Sequence, residues 1–382
     1  MIYLDHSATT PLDENVSDLM NQVTQEEYGN PSSIHQIGQI ARDRVEKARR
    51  QVANAINAES SEIIFTSSGS EANNLVLWDI IQRKGQHVII SWIEHPSVFN
   101  TVNALKHLGL SVTEIGVDRF GIISIDEIEQ AIKPETSLVA IMTANNETGT
   151  IQPINDIAEL CQKKGVHLHT DAVQALGKIK VDLRGKYIDT ASFSAHKIYG
   201  PKGVGALYVR KGKKLHPLIY GGNQEKSLRA GTENVASIAG FGLACELCTK
   251  NIKHFSDRME ILSNIIINHI TSEIPSAIIN GHPENHLPGV LSVTLPKIDA
   301  QTLLIKLDID GFAVSTGAAC SSGTTKISRV LLAMGLSNQE CNSTLRISLG
   351  KKTNKFEVES FLNSLSNHVS LMGKSKPLEV TL

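Results

Sequence analysis

The sequence predicts an α/β fold with a largely parallel sheet, followed by a smaller α+β unit. Three observations carry this. β-rich and helical patterns alternate from about residue 60 to 210. Within that run, residues 137–142 (Ser-Leu-Val-Ala-Ile-Met) are almost wholly apolar, as a strand buried on both faces of a parallel sheet must be. After Gly231 the alternation gives way to a long helical stretch and a few separated strands. Strands and helices alternating at this length bury their apolar faces as a sheet covered by helices.

In chain order, residues 62–66 read as the first strand, and Ser67-Ser68-Gly69-Ser70 turns into a helix from Glu71. Residues 87–91 are the next strand, before a helix over about 96–108. Residues 111–116 read as strand, 126–133 as a short helix, 137–142 as the buried strand and 154–164 as helix. Residues 167–170, 190–194 and 205–209 complete the strands. Beyond Gly231, helix is expected over about 233–270, strand over 289–295, helix over 300–307 and strand over 344–348. An amphipathic helix over 354–369 closes the pattern. The eleven residues 315–325 are all small, so they cannot pack a core and read as a mobile loop. Sheets of this kind bind ligands outside the carboxyl ends of their strands, so polar and Gly-rich residues there are the candidates.

Composition narrows the function. The 382 residues suggest two domains at about 150 residues each. Lys+Arg number 37 and Asp+Glu 39, so no basic excess points to direct nucleic-acid binding or to a membrane surface. No apolar stretch is long enough to span a bilayer, and Met1-Ile2-Tyr3-Leu4-Asp5 reads as the start of a folded domain rather than a leader. Five cysteines do not form a disulfide framework; a cytoplasmic protein with reduced thiols is expected. No dinucleotide or P-loop glycine motif is present. His167-Leu168-His169 puts two imidazoles on one strand face, but without a third ligand nearby in sequence no metal site is expected. Cys245-Glu246-Leu247-Cys248 lies in a helical pattern, and zinc sites usually need a second such pair; it reads as a packed helix face.

The most informative stretch is Ser192-Phe193-Ser194-Ala195-His196-Lys197-Ile198-Tyr199-Gly200-Pro201-Lys202-Gly203, where a strand runs into a lysine and then a Gly/Pro turn. A desolvated lysine amine is a Schiff-base nucleophile, although Lys197 alone would read as a surface lysine. Three other features change its meaning. Asp171 ends a buried strand and needs a cationic partner, a role that a protonated pyridine nitrogen fills. Ser67-Ser68-Gly69-Ser70 opens a helix, where free N–H groups and the dipole favour a phosphate. Glu94-His95-Pro96 puts an imidazole beyond a strand end, where it could stack on a planar ring. The order of phosphate-binding helix start, stacking histidine, carboxylate and lysine resembles the aspartate-aminotransferase fold type of pyridoxal-phosphate enzymes, in the class V aminotransferase superfamily.

The chain resembles the cysteine desulfurases of the NifS/IscS type over nearly its whole length. The resemblance rests on residues 3–11 (Tyr-Leu-Asp-His-Ser-Ala-Thr-Thr-Pro), Gly29-Asn30-Pro31-Ser32-Ser33, Asn145-Asn146-Glu147-Thr148-Gly149, the Lys197 segment, Arg229-Ala230-Gly231-Thr232, Gly317-Ala318-Ala319-Cys320-Ser321-Ser322-Gly323 and residues 345–350. It implies an aspartate-aminotransferase-like large domain over residues 15–250 with a mostly parallel seven-stranded sheet. Residues 1–14 and 251–382 would form the smaller α+β domain carrying the cysteine loop.

The resemblance also implies the roles. Lys197 would hold pyridoxal 5'-phosphate as an internal aldimine, with His95 stacked on the ring and able to move protons. Asp171 would face the pyridine nitrogen and Gln174 the phenolic oxygen. Gly69, Ser70, Ser194 and His196 would hold the phosphate, and Thr232 would reach the phosphate of the other subunit of a homodimer. Asn146 and Arg346 would bind the carboxylate of L-cysteine, a task that suits the fork of an arginine. Cys320 would take the substrate sulfur as a persulfide, releasing L-alanine, and pass it to an acceptor protein. Residue 195 is Ala where many relatives have Gly, and His6-Ser7 stand where Asn or Ala is frequent. Residues 374–382 make a short tail where members that dock an iron–sulfur scaffold carry a longer one, so iron–sulfur assembly, tRNA thiolation and DNA phosphorothioate modification all stay open as destinations. A selenocysteine lyase or a class V aminotransferase is the nearest alternative. A non-catalytic binding subunit is the alternative of a different class.

Overall fold

A computed structural model describes residues 1–83, 85–317 and 327–374. The chain begins with a short strand β1 (Ile2–Tyr3) and two helices, α1 (Glu14–Glu26) and α2 (Gln36–Ala55). The alternating run follows: β2 (Ile63–Thr66), α3 (Gly69–Gln82), β3 (His87–Ser91), α4 (Pro96–Lys106), β4 (Ser111–Ile115), α5 (Ile125–Ala131), β5 (Thr136–Ala140), α6 (Ile154–Lys164), β6 (His167–Asp171), β7 (Thr190–Ser194) and β8 (Gly205–Val209). These strands form one seven-stranded sheet in the order β2-β8-β7-β6-β5-β3-β4. Only β8 runs against its neighbours, β2 and β7; the other four pairings are parallel. The expected mostly parallel seven-stranded sheet is therefore present.

Its strands are apolar on both faces because both are covered. Side chains alternate across a strand, and the two faces feed separate cores. Ile63, Phe65, Ile89, Val139, Leu168, Phe193 and Ala206 pack with α2 and α6. Ile64, Val88, Ile90, Leu138, Ala140 and Leu207 pack with α3 and α4. This two-sided burial made residues 137–142 read as one apolar run. Pairing ends at Ala140, yet Ile141 and Met142 stay buried.

The remaining elements are α7 (Val235–Lys250), α8 (Ile252–Glu273), β9 (Ile278–Asn280), β10 (Val290–Thr294), α9 (Ala300–Ile309), β11 (Phe312–Ala313), β12 (Ser315–Thr316), α10 (Arg329–Ala333), α11 (Asn338–Asn342), β13 (Thr344–Ser348) and α12 (Lys355–Lys374). A four-stranded antiparallel sheet runs β12-β13-β10-β9. Met259, Ile266, Val293, Leu303, Ile347 and Phe361 form its core, joined by Leu4 from the chain start.

Two expectations need correction. The helix expected over 233–270 is two helices that meet at Asn251. The cause is that α7 packs on the large sheet's core and α8 on the small one, so one straight rod cannot serve both. The small-residue patch at 315–325 does not begin as loop. Ser315 and Thr316 pair with Arg346 and Leu345 as β12, because a neighbouring strand supplies hydrogen bonds that need no large side chain. The remainder of that patch, residues 318–325, lies outside the described residues.

Candidate active site

The carboxyl ends of β2, β3, β6 and β7 open on one cavity of about 200 Å³. The expected residues Gly69, Ser70, His95, Asn146, Asp171, Gln174, Ser194, His196, Lys197 and Arg346 all line it. Thr232 does not: it is exposed and lines a separate hollow beside Thr66 and Ser67. Cys320 lies outside the described residues.

At the end of β2, Ser68 caps α3 by accepting from the Glu71 N–H at 3.1 Å, and Gly69 and Ser70 form the first turn. Two glycines permit this approach. A Cβ on Gly69 would lie 2.6 Å from Val173 Cγ2. A Cβ on Gly205 in β8 would lie 2.6 Å from the Ser68 carbonyl carbon and 2.9 Å from the Gly69 nitrogen. Past β3, His95 caps α4, its Nδ1 accepting from the Ser97 N–H at 3.1 Å. That bond leaves the ring proton of a neutral imidazole on Nε2. Burial lowers the His95 pKa, opposed by Asp171 and reinforced by Lys197 and Arg329.

Asp171 ends β6 with both oxygens engaged. Oδ1 accepts from the Val173 N–H at 3.0 Å and Oδ2 from Asn73 Nδ2 at 2.8 Å. Asn73 is buried, and the same amide group donates to Ser97 Oγ at 2.8 Å. Its Oδ1 therefore faces His169 Nε2, 3.0 Å away, which fixes His169 as the donor there. His169 Nδ1 then accepts from Thr190 Oγ1 at 2.9 Å, and the same hydroxyl oxygen accepts from His167 Nε2 at 3.0 Å. Burial pushes both imidazoles down to about 3. The His167-Leu168-His169 pair is thus a neutral relay that orients Asn73 and, through it, Asp171. Among the described residues, no group of three His, Cys, Asp or Glu could hold a metal ion.

Lys197 lies in a 3₁₀ turn after β7, and its Nζ donates to the carbonyls of Ser7 and Ala8 at 2.6 and 2.7 Å. The chain start therefore forms part of the site. Gln174 Nε2 donates to the same Ser7 carbonyl at 3.0 Å. Nearby, His196 Nδ1 lies 3.1 Å from Thr9 Oγ1, and burial holds its pKa at about 4. Arg346 on β13 is 1% exposed; it pairs with Asp5 at 2.8 Å and donates to the Asn146 carbonyl at 3.0 Å. Arg346 Nε and Ser7 Oγ, both on residues lining the cavity, are buried without a hydrogen-bond partner in the described structure.

Several residues here escaped the sequence reading. Asn73 and Ser97 act through tertiary contacts that no local motif marks, while His169 and Ser7 stand in runs already noted but take their roles from tertiary contacts. Glu94 is buried and Glu147 half-buried, and desolvation raises the two acids to about 8 and about 7. Glu147 accepts from Ser328 Oγ at 2.5 Å, and a Cβ on Gly317 would lie 2.5 Å from its Oε2. It thus braces Gly317 and Ser328, on either side of Cys320 in the chain. The four described cysteines are all buried or half-buried with raised thiol pKa values: burial takes Cys161 and Cys248 to about 12, Cys341 to about 11, and Cys245 well above the ordinary value.

A lysine, a carboxylate held by an uncharged relay, a neutral imidazole and a helix start, gathered at the carboxyl ends of one sheet's strands, suit an α/β enzyme of the aminotransferase type. The chain belongs to the aminotransferase class-V family, whose model matches residues 2–361. Its relatives narrow the activity. The cysteine desulfurase IscS of Dictyoglomus turgidum is 40% identical over 379 residues, covering 98% of this chain and 96% of the relative. A solved NifS-like protein superposes with a TM-score of 0.92 at 38% identity, covering 97% of this chain and 99% of that one. A structure described as SspA in complex with cysteine superposes with a TM-score of 0.81 at 36% identity, covering 91% of this chain and 99% of that one. The chain is an enzyme of the cysteine desulfurase kind. No helix among the described residues is long and apolar enough to cross a membrane.

Proposed function

We propose that this enzyme uses pyridoxal 5'-phosphate to move the sulfur of L-cysteine onto Cys320, releasing L-alanine. The observation that carries the reading is the convergence of Lys197, Asp171, His95, Gln174 and the α3 start on one cavity. The donor set suits the cofactor. The α3 N-terminus with Ser70 and Ser194 suits a phosphate, Asp171 a protonated ring nitrogen, and Lys197 an aldehyde. The unpartnered Arg346 Nε and Ser7 Oγ show that polar capacity remains in the wall.

When bound, the cofactor supplies an electron sink for charge developing at the substrate α-carbon. The chain's own residues do the rest. Asn73 holds Asp171 in place, and the neutral histidines behind it keep competing charge away. Arg346, steadied by Asp5 and the Asn146 carbonyl, binds the substrate carboxylate together with Asn146. Lys197 takes the α-proton, and His95 Nδ1, engaged with Ser97, leaves Nε2 to exchange a proton at the substrate thiol. The Cys320 thiolate attacks the substrate sulfur. The new S–S bond forms as the Cβ–S bond breaks, its electron pair stays on the carbon skeleton, and a proton completes L-alanine. The raised pKa of the other four thiols leaves them protonated and poor nucleophiles, which favours Cys320 as carrier.

The rest of the reading follows from this chemistry. The persulfide passes to an acceptor protein, which requires a reducing compartment such as the cytoplasm. Exposed Thr232 serves the second subunit of a homodimer. The large unit spans residues 15–250, and residues 1–14 with 251–382 make up the other. The test is turnover of L-cysteine by the purified protein supplied with pyridoxal phosphate and a thiol reductant. Equal alanine and sulfide are expected, with loss of sulfide release in Cys320→Ser. Alanine without sulfide, or full turnover by Cys320→Ser, overturns the reading, and preference for selenocysteine makes the enzyme a lyase of that substrate.

A further inference from the structure

Lys178 is a buried lysine that the proposed chemistry does not use. It is 6% exposed, and its Nζ donates to Gln174 Oε1 at 2.7 Å and to the Gln174 carbonyl at 3.2 Å. On the other side of the same amide, Gln174 Nε2 donates to the Ser7 carbonyl at 3.0 Å. Gly177 lets the chain turn at this point: its φ is +76°, and a Cβ there would lie 2.9 Å from Ile198 Cγ2.

A glutamine amide can sit either way round, and only its partners decide. Here both partners agree. The Ser7 carbonyl can only accept, so it requires the NH₂ end. The lysine amine donates to the oxygen end. We propose that Lys178 is a positioning residue that locks the Gln174 amide with its donor end toward the cofactor cavity. The inference rests on the cofactor reading above, in which Gln174 donates to the phenolic oxygen. Without Lys178, a buried amide oxygen loses its partner and the amide can rotate its acceptor toward the site, where it would repel an anionic oxygen.

The surroundings suit this task. No carboxylate bonds to Lys178 Nζ among the described residues; Lys197 and Arg346 act on it electrostatically, and the His6 imidazole, which burial and Lys178 lower to about 4, also faces it. Burial, with those two cations, lowers its pKa to about 7.

The experiment is a double-mutant cycle on the visible band of the purified protein loaded with pyridoxal phosphate, titrated with pH. A donor to the phenolic oxygen favours its anionic form, so removing the donor raises the midpoint of the band. Lys178→Met and Gln174→Ala are each expected to raise it by about 0.5 to 1 pH unit, the value of one hydrogen bond. The double variant should move no further than Gln174→Ala alone. If Lys178 acted only through charge, its effect would persist in the Gln174→Ala background. An additive shift, or a parental midpoint in Lys178→Met, overturns the inference. If Lys178→Met does not fold, Lys178→Ala, which also lacks a donor, is titrated in its place against the same outcomes. Absence of the band in the parent protein is a different failure: it overturns the cofactor reading, and this inference with it.

Discussion

On the proposed reading, replacing Lys197 tests cofactor attachment and replacing Arg346 tests substrate binding. Lys197 Nζ lies between the carbonyls of Ser7 and Ala8, which orient the amine. Lys197→Ala is expected to abolish the visible band that borohydride traps on the protein; a band that persists and reduces onto the chain would overturn the assignment. Arg346 is held from behind by Asp5 and Asn146. A lysine there would keep the charge but lose the planar fork. Arg346→Lys is therefore expected to raise KM for L-cysteine about tenfold or more while kcat changes less, since one charge-assisted hydrogen bond is worth roughly 1.5–3 kcal/mol; unchanged KM in steady-state assays would refute the carboxylate role. Both residues were legible in the sequence because each lies at a strand end or in a recognisable run. Asn73 was not. Its meaning depends on Asp171 and His169, about a hundred residues away in the chain, and only the folded sheet brings them together.

Strand β6 shows how one element can serve both the core and the proposed site. His167 and His169 share a face, as their spacing implied, but that face meets Thr190 on β7 and Asn73 on α3. Burial makes the neutral ring the only affordable state, with pKa near 3 against an ordinary 6.5. Between those values the unfolded chain binds protons that the native one does not, so stability rises with pH across this window. Their contribution is complete above about pH 6.5 and is lost as pH falls toward 3, at up to roughly 1.4 kcal/mol per pH unit for each ring. Urea unfolding between about pH 6.5 and 5 should show this slope, and His169→Gln should flatten it; an equal slope in the variant would show that the ring is not buried neutral. The break between α7 and α8 and the two-residue strand β12 were illegible for a related reason. Helical periodicity does not reveal which of two cores a face will meet, and a strand of small residues shows no apolar pattern because β13 supplies its partners.

At the scale of the whole molecule, the chain start joins the two cores and floors the site between them. Ile2 and Leu4 donate backbone N–H groups to Gly311 and Ala313, and Leu4 is fully buried in the core of the four-stranded sheet. Six residues later the Thr10 N–H donates to the His196 carbonyl, and Thr10 Oγ1 accepts from the Tyr199 N–H. Between these anchors lie Asp5, which holds Arg346, and the Ser7 and Ala8 carbonyls, which hold Lys197. Loosening either anchor should therefore be felt at the lysine, which ordinary destabilisation would not cause. Leu4→Ala is expected to cost about 2–5 kcal/mol in denaturant unfolding, as buried leucine truncations do, and to weaken retention of pyridoxal phosphate during dialysis. Ile266→Ala opens a cavity in the same core from α8 rather than from the segment itself, at similar cost, so it should retain cofactor like the parent. Equal retention in the two variants at matched stability would show that the N-terminal segment lies against the site without holding it in place.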